Sequence, residues 1–226
     1  MSRALPILCS ASVVRNILSG AQTEDRRPLS ALRPLADGRP SYPQYPVREV
    51  VAESKWSRKH QRKVSRDFLH VHNGSGDGAG WWLPAPWSAG DTLYVRETWQ
   101  LLRLDYDAET GHVDDVEAVA DVSTDPRDPR FAGRPRYSVA YAANAGWDGD
   151  KGFPWRPSIH MPKWAARIHL RVLSVGVERV GDITEAGAKA EGCADVEDFA
   201  RLWIKLYGIW SDNPWVWVTK FERVRP

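Results

Sequence analysis

The chain has 226 residues (25.5 kDa), of which 42% are hydrophobic and 27% charged; that is enough for one large globular domain or two small ones. A net charge of +2 and a pI near 8.5 are too mild to imply a nucleic-acid partner by themselves. No apolar run reaches the ~18 residues of a membrane-spanning helix, and two distant cysteines, Cys9 and Cys193, make neither a disulfide framework nor a metal cluster.

"LPIL" (Leu5 to Leu8) predicts a short strand. "SASVVRNILSG" then places Val13, Val14, Ile17 and Leu18 on one helical face, with Ser10 or Ser12 as N-cap and Gly20 just past the end. Residues 28–54 are proline-rich and read as irregular. "KWSRKHQRKVSR" carries six Lys/Arg in twelve residues, and "DFLHVHNGSGDGAGWW" reads as a short strand followed by a glycine-rich loop. "GDTLYVRETWQLL" alternates as a strand pair or one long strand, residues 105–134 as an acidic surface insertion, and "RYSVAYAA" as a strand.

"WRPSIHMPKWAA" has no period. "RIHLRVLSVGVERV" predicts a long strand whose apolar positions are even to Val172 and odd from Leu173, which demands a bulge or bend. "DITEAGAKAEG" opens like a helix, with Asp182 three residues before Glu185. "DVEDFARLWIKLYG" is amphipathic, with Val196, Phe199, Trp203 and Leu206 on one side and Gly208 as the stop. "NPWVWVTKFERV" is a terminal strand. The mixture predicts an α+β fold. Most of the 12 tryptophans are expected in the core, because an indole buries a large apolar area.

The richest candidate site is the polar run after the first helix: Gln22, Thr23, Glu24, Asp25, Arg26 and Arg27. Arginines can clamp phosphate or carboxylate with paired hydrogen bonds; a self-satisfied salt-bridge turn explains the same residues equally well. The basic stretch containing Lys55, Arg58, Lys59, Arg62 and Lys63 either tracks phosphates or is a solvated face. His70 and His72 would share a strand face, but no further ligand has metal spacing, so no metal is expected. "GSGDGAG" lacks the Lys-Ser/Thr ending of a phosphate-binding loop.

"PILCSASVVRNILSGAQTEDRR", "GDTLYVRETW", "WRPSIHMPKWAARIHLRV", "VERVGDITEAGAKAEG" and "NPWVWVTKFERV" together resemble the ASCH domain family, in its phage and prophage branch often labelled morphogenetic protein. The resemblance implies a single domain over residues 1–226. Its fold would be a PUA-like β-barrel with flanking short helices and variable insertions at about 28–88 and 105–134. Family relatives bind RNA or modified bases, and some small bacterial members are amidohydrolases that deacylate N4-acetylcytidine. Their motif resembles Gly-Arg-Lys-Thr-x-Thr-x-Arg, in which the Lys and the second Thr are catalytic, with a Glu from a later helix. Gly20, Thr23 and Arg27 match it here, and Glu191 falls on the catalytic Glu. Gln22 stands at the Lys position and Asp25 at the Thr position. Gln cannot act as a general base, and Asp lacks the nucleophilic hydroxyl. An Asp25–Glu191 carboxylate pair activating water remains a conceivable alternative.

The expectation is therefore a module that binds a nucleotide, modified nucleoside or single-stranded nucleic acid. Gln22, Asp25 and Glu191 would form the centre of its site, catalytic if the domain is an amidohydrolase. Thr23, Arg26, Arg27, Arg96, Glu97, Trp99, Arg156 and His160 would serve as ligand-binding residues. For Arg96 and Glu97 an exposed cross-strand ion pair is the plain structural explanation, and for Trp99 the core is. An amidohydrolase and a phage assembly protein are the alternatives. No cofactor and no membrane partner are expected, and the location expected is a reduced cytoplasm, that of a bacterial host if the chain is phage-encoded.

Overall fold

The computed structural model describes residues 3–29, 47–57, 62–72, 80–107, 109–110, 112–119, 136–144, 154–208 and 210–225. They form a mixed α+β structure, mostly strands in open sheets, with three α-helices and no closed barrel among the described residues. The chain divides into two compact units. Unit 1 comprises Met1–Leu5, Ser19–Thr92 and Leu170–Val224; unit 2 comprises Pro6–Leu18, Leu93–His169 and Arg225–Pro226.

Helix α1 (Ala11–Ser19), in unit 2 except for its last residue, follows strand β1 (Ala4–Leu8), whose first two residues are counted with unit 1. Its start is the expected one: Ser10 offers its carbonyl to Val14 N at 2.9 Å. Val14 and Ile17 are the buried pair of its apolar face, and Gly20 ends it at φ +80°.

Strand β2 (Glu24–Pro28) belongs to unit 1, as does a three-stranded antiparallel sheet of β3 (Val47–Ser57), β4 (Arg62–His72) and β5 (Gly80–Pro84). The proline-rich reading of 28–54 thus gives way to strand from Val47 onward. β6 (Thr92–Arg96) comes next. Then β7 (Trp99–Tyr106) lies between β8 (Val113–Ala118) and β9 (Arg136–Tyr141) in the sheet of unit 2. "GDTLYVRETWQLL" is therefore two strands, and the acidic stretch supplies a sheet edge. Trp99, fully buried, anchors this unit's core with Leu101, Met161 and Ala165. The non-periodic segment becomes two 3-10 turns, Ser158–His160 and Lys163–Ala165.

Strand β10 (His169–Arg179) buries Leu170 and Val172, then exposes Leu173 and Ser174 in succession. The alternation breaks where the sequence requires it. Beyond the break, Val175 and Val177 pack with Leu29, Leu69 and Trp217.

The helix-opening signal at Asp182 misplaces the cap. Asp182 ends a 3-10 turn, and helix α2 (Glu185–Ala190) is capped by Thr184, whose hydroxyl oxygen accepts from Gly187 N at 3.1 Å. Helix α3 (Val196–Tyr207) starts on Asp195, which accepts from Asp198 N at 2.7 Å, and ends at Gly208 with φ +89°. Phe199 and Trp203 are its buried face; Leu206 is 57% exposed, so the apolar stripe runs through Leu202 instead. Asp195→Ala is expected to cost about 1 kcal/mol, readable as a lower urea midpoint at unchanged slope.

Strand β11 (Trp215–Val224) lies between β10 and β2. Both of its faces are buried. Val216 and Val218 pack with Ile183, Phe199 and Trp203 of the helical layer, while Trp217 packs against Leu29, Leu69 and Ala85. This two-sided burial is why "WVWV" reads as a continuous apolar run rather than an alternating one.

Candidate functional site

The polar run of β2 is laid down as strand, not as a turn. Strand geometry sends alternate residues to opposite faces. Gln22, Glu24 and Arg26 are accordingly buried, at 4%, 8% and 7% exposure, while Thr23 is exposed and Asp25 and Arg27 are half-buried. An isolated antiparallel bridge joins Gln22 to Glu191, the C-cap of α2, and Thr23 N donates to Ala190 O at 2.8 Å. Two segments 169 residues apart are thereby brought together.

Arg26 is the centre of the arrangement. Its Nε donates to Glu178 of β10 at 2.6 Å, and its Nη1 meets Glu24 at 2.9 Å and Glu191 at 3.1 Å. Lys220, in register with Glu24 on β11, reaches the other Glu24 oxygen at 2.9 Å. Gln22 Nε2 donates to Glu24 O at 3.1 Å and approaches Glu191 Oε2 at 3.4 Å, leaving Gln22 Oε1 buried without a partner. Burial works to lower the pKa of Arg26; the hydrogen bond and charge of Glu178, then of Glu191, outweigh it and hold the guanidinium charged.

Glu191 carries the opposite perturbation. Its carboxyl is pushed up to about 8, first by burial, then by the charge of Asp25, against the pull of Arg26. A proton there also relieves an excess of carboxylate over cation in the cluster. Cys193 nearby is pushed up to about 11 by burial and by surrounding carboxylates, so it stays a thiol and offers no nucleophile.

Gly187 explains how the guanidinium fits. A Cβ at this position would lie 2.9 Å from Arg26 Nη2 and 3.1 Å from Ile183. Gly187→Ala would gain about 1 kcal/mol of helix propensity but displace a buried, hydrogen-bonded arginine. The net expectation is a loss of about 1–3 kcal/mol, measured by chemical denaturation.

Asp25 and Arg27 pair with each other at 2.6 Å, and the Arg27 guanidinium lies 5.4 Å from the Trp87 ring centroid. Asp25 does not hydrogen-bond to Glu191; it acts on Glu191 through its charge. Tyr207 at the end of α3, its ring tilted at 47° to that of Trp203 with centroids 4.5 Å apart, has its hydroxyl pKa raised by burial and is within electrostatic reach of Arg27, Asp25 and Glu191.

The remaining expected ligand residues lie in unit 2, and Arg96, Glu97 and Arg156 each have an internal hydrogen-bond partner. Glu97 is 1% exposed and takes both oxygens to Arg167, at 2.9 Å each. Arg167 in turn lies 4.0 Å from the Tyr141 ring centroid and donates to Asn144 at 2.7 Å. The exposed Arg96–Glu97 ion pair considered from sequence is not what forms: Arg96 Nε donates to Met161 O at 2.6 Å. Arg156 donates to Gln100 Oε1 at 3.0 Å and Val119 O at 2.8 Å, and Trp99 is core. His160 sits exposed at the end of its 3-10 turn.

In the basic stretch, Lys55 lies on β3 opposite Val64, while Arg62 and Lys63 lie on β4 opposite Ser57 and Trp56. Arg58 and Lys59 fall outside the described residues. His70 stacks on Trp82 with ring centroids 4.4 Å apart. No group of three or more His, Cys, Asp or Glu side chains is arranged to hold a metal ion among the described residues.

Sequence reasoning did not single out Glu178, Lys220, Gly187 or Tyr207. Lys220 was recoverable in principle, since it is the lone charged residue between Trp215 and Phe221. Glu178 and Gly187 carry no local signal. Comparison with known proteins returns no matching family model, curated protein or solved structure.

Proposed function

We propose that this chain is an ASCH-type, PUA-like domain that binds a nucleotide, modified nucleoside or nucleic-acid segment at the Arg26 cluster. The observation that carries the reading is the Gln22–Glu191 bridge. The two positions the resemblance assigns to one site meet in unit 1, and a buried Gln22 acceptor there is left without a donor. Buried polar atoms are ordinarily satisfied, and an exception calls for an explanation; Gln22 Oε1 is one of several among the described residues.

A hydrolytic reading has one observation in its favour: the Glu191 carboxyl, pushed up to about 8, is poised near neutral pH as a general acid–base group would be. Binding remains the better supported of the two. Gln22 supplies no base, and Asp25 is engaged by Arg27 rather than paired with Glu191.

The test is a thermal-shift and calorimetric panel of nucleosides, nucleotides and short single-stranded RNA and DNA, at low and moderate salt. A ligand selective for the native state raises Tm in proportion to its occupancy. A flat response across the panel would remove the binding reading.

A further inference from the structure

We infer that the Arg26 cluster accepts an uncharged, planar hydrogen-bonding edge of its ligand, of the kind an amide or a nucleobase presents, and turns phosphate away. The inference rests on the ligand-binding reading above and narrows it to one chemical class.

The first ground is charge. Four carboxylates, those of Glu24, Asp25, Glu178 and Glu191, are held by three cations, Arg26, Arg27 and Lys220. Every one of these cations already serves a carboxylate of the cluster. Arg26 spends its Nε on Glu178 and its Nη1 on Glu24 and Glu191; Arg27 spends its Nε on Asp25, and Lys220 its amine on Glu24. An arriving phosphate would meet a balanced or negative surface, and to gain the buried Arg26 guanidinium it would have to displace Glu24 or Glu191, which are buried with it. That is costly where both partners are desolvated.

The second ground is the unmet acceptor. Gln22 Oε1 is buried on a residue only 4% exposed and has no partner. The direction of the amide follows from its surroundings: its other end faces the Glu24 carbonyl oxygen, which can only accept, so that end must be the NH2. What Oε1 lacks is a donor. Phosphate oxygens are acceptors and bring none when fully ionised, whereas an exocyclic amino group or ring N–H brings one. A site with a buried acceptor rewards the ligand that satisfies it and penalises the one that does not.

The experiment is calorimetry on the full chain with adenosine, guanosine, cytidine and uridine, their 5′-monophosphates, and inorganic phosphate as a competitor. The expected result is binding of at least one nucleoside, with its monophosphate within roughly threefold and no competition by phosphate. Gln22→Met keeps the length of the side chain and removes the acceptor; it should weaken that nucleoside by about tenfold. A monophosphate that binds tenfold or more tightly than its nucleoside, or competition by phosphate, overturns the inference and leaves the binding reading standing. Equal affinity of Gln22→Met and wild type also overturns it. Binding of none of these compounds removes the binding reading and the inference together. The phosphate competition uses only the wild-type chain, so the inference stays exposed to failure even if Gln22→Met does not fold.

Discussion

Arg26→Met is expected to lower the unfolding free energy by about 3–5 kcal/mol at neutral pH. The methionine fills much of the same space, so the loss is not chiefly a cavity. It arises because Glu24 and Glu178 would lose the guanidinium they share, with only Lys220 in compensation at Glu24, and Glu191 would lose its hydrogen-bond donor. Removing one member of a buried charged network strands the others, whereas removing both members of a pair costs much less. Glu178→Gln made in the Arg26→Met background should therefore recover part of the loss. Urea unfolding of the two single variants and the double variant reads both effects. A cost below about 1 kcal/mol for Arg26→Met would mean that the cluster is solvated and weakly coupled.

The polar run stands out in the sequence, and Glu191, which bridges to Gln22 in the fold, is named there only through the resemblance. The run's secondary structure was not legible. "QTEDRR" has no apolar alternation, so nothing local distinguishes a strand from a turn; the strand is dictated by β11, whose Val218 and Lys220 pair with Arg26 and Glu24. Tertiary pairing overrides local propensity in this way at sheet edges. The break in β10 was readable because a period of two cannot change face silently, and Leu173 and Ser174 show it. The cap of α2 was misread because Asp182 and Thr184 both precede Glu185 and both are good cap residues. Only the Thr184 hydroxyl reaches Gly187 N. Leu206 was placed on the buried side of α3 by spacing alone; the helix turns that position to solvent and fills the stripe with Leu202. Partners such as Glu178 depend on which strands lie side by side, which no single stretch of sequence encodes.

The second large effect is a pH dependence of stability. The unfolded chain loses the Glu191 proton near the ordinary 4.5, and the folded chain keeps it to about 8. Between these values the folded state binds more protons than the unfolded state, so stability falls as pH rises from about 4.5 to about 8 and is flat outside that window. At 1.36 kcal/mol per pH unit, the full contribution is at most about 5 kcal/mol. Glu191→Gln keeps the shape and an acceptor for Arg26 but has no proton to lose. The stability difference between variant and wild type should therefore grow in the variant's favour on going from pH 5 to pH 8. Other titrating groups, including Asp91 with its lowered pKa, largely cancel in that difference. Parallel stability–pH curves for the two proteins would show that Glu191 is ionised throughout.

The most direct test of the whole account is one NMR titration. The Gln22 side-chain amide and the Glu191 carboxyl carbon are followed while the nucleoside that binds most tightly is added. The account predicts that both signals move along one saturation curve, and that this curve matches the calorimetric affinity. A nucleoside that binds while these two signals stay still, with shifts confined to other residues, would contradict it.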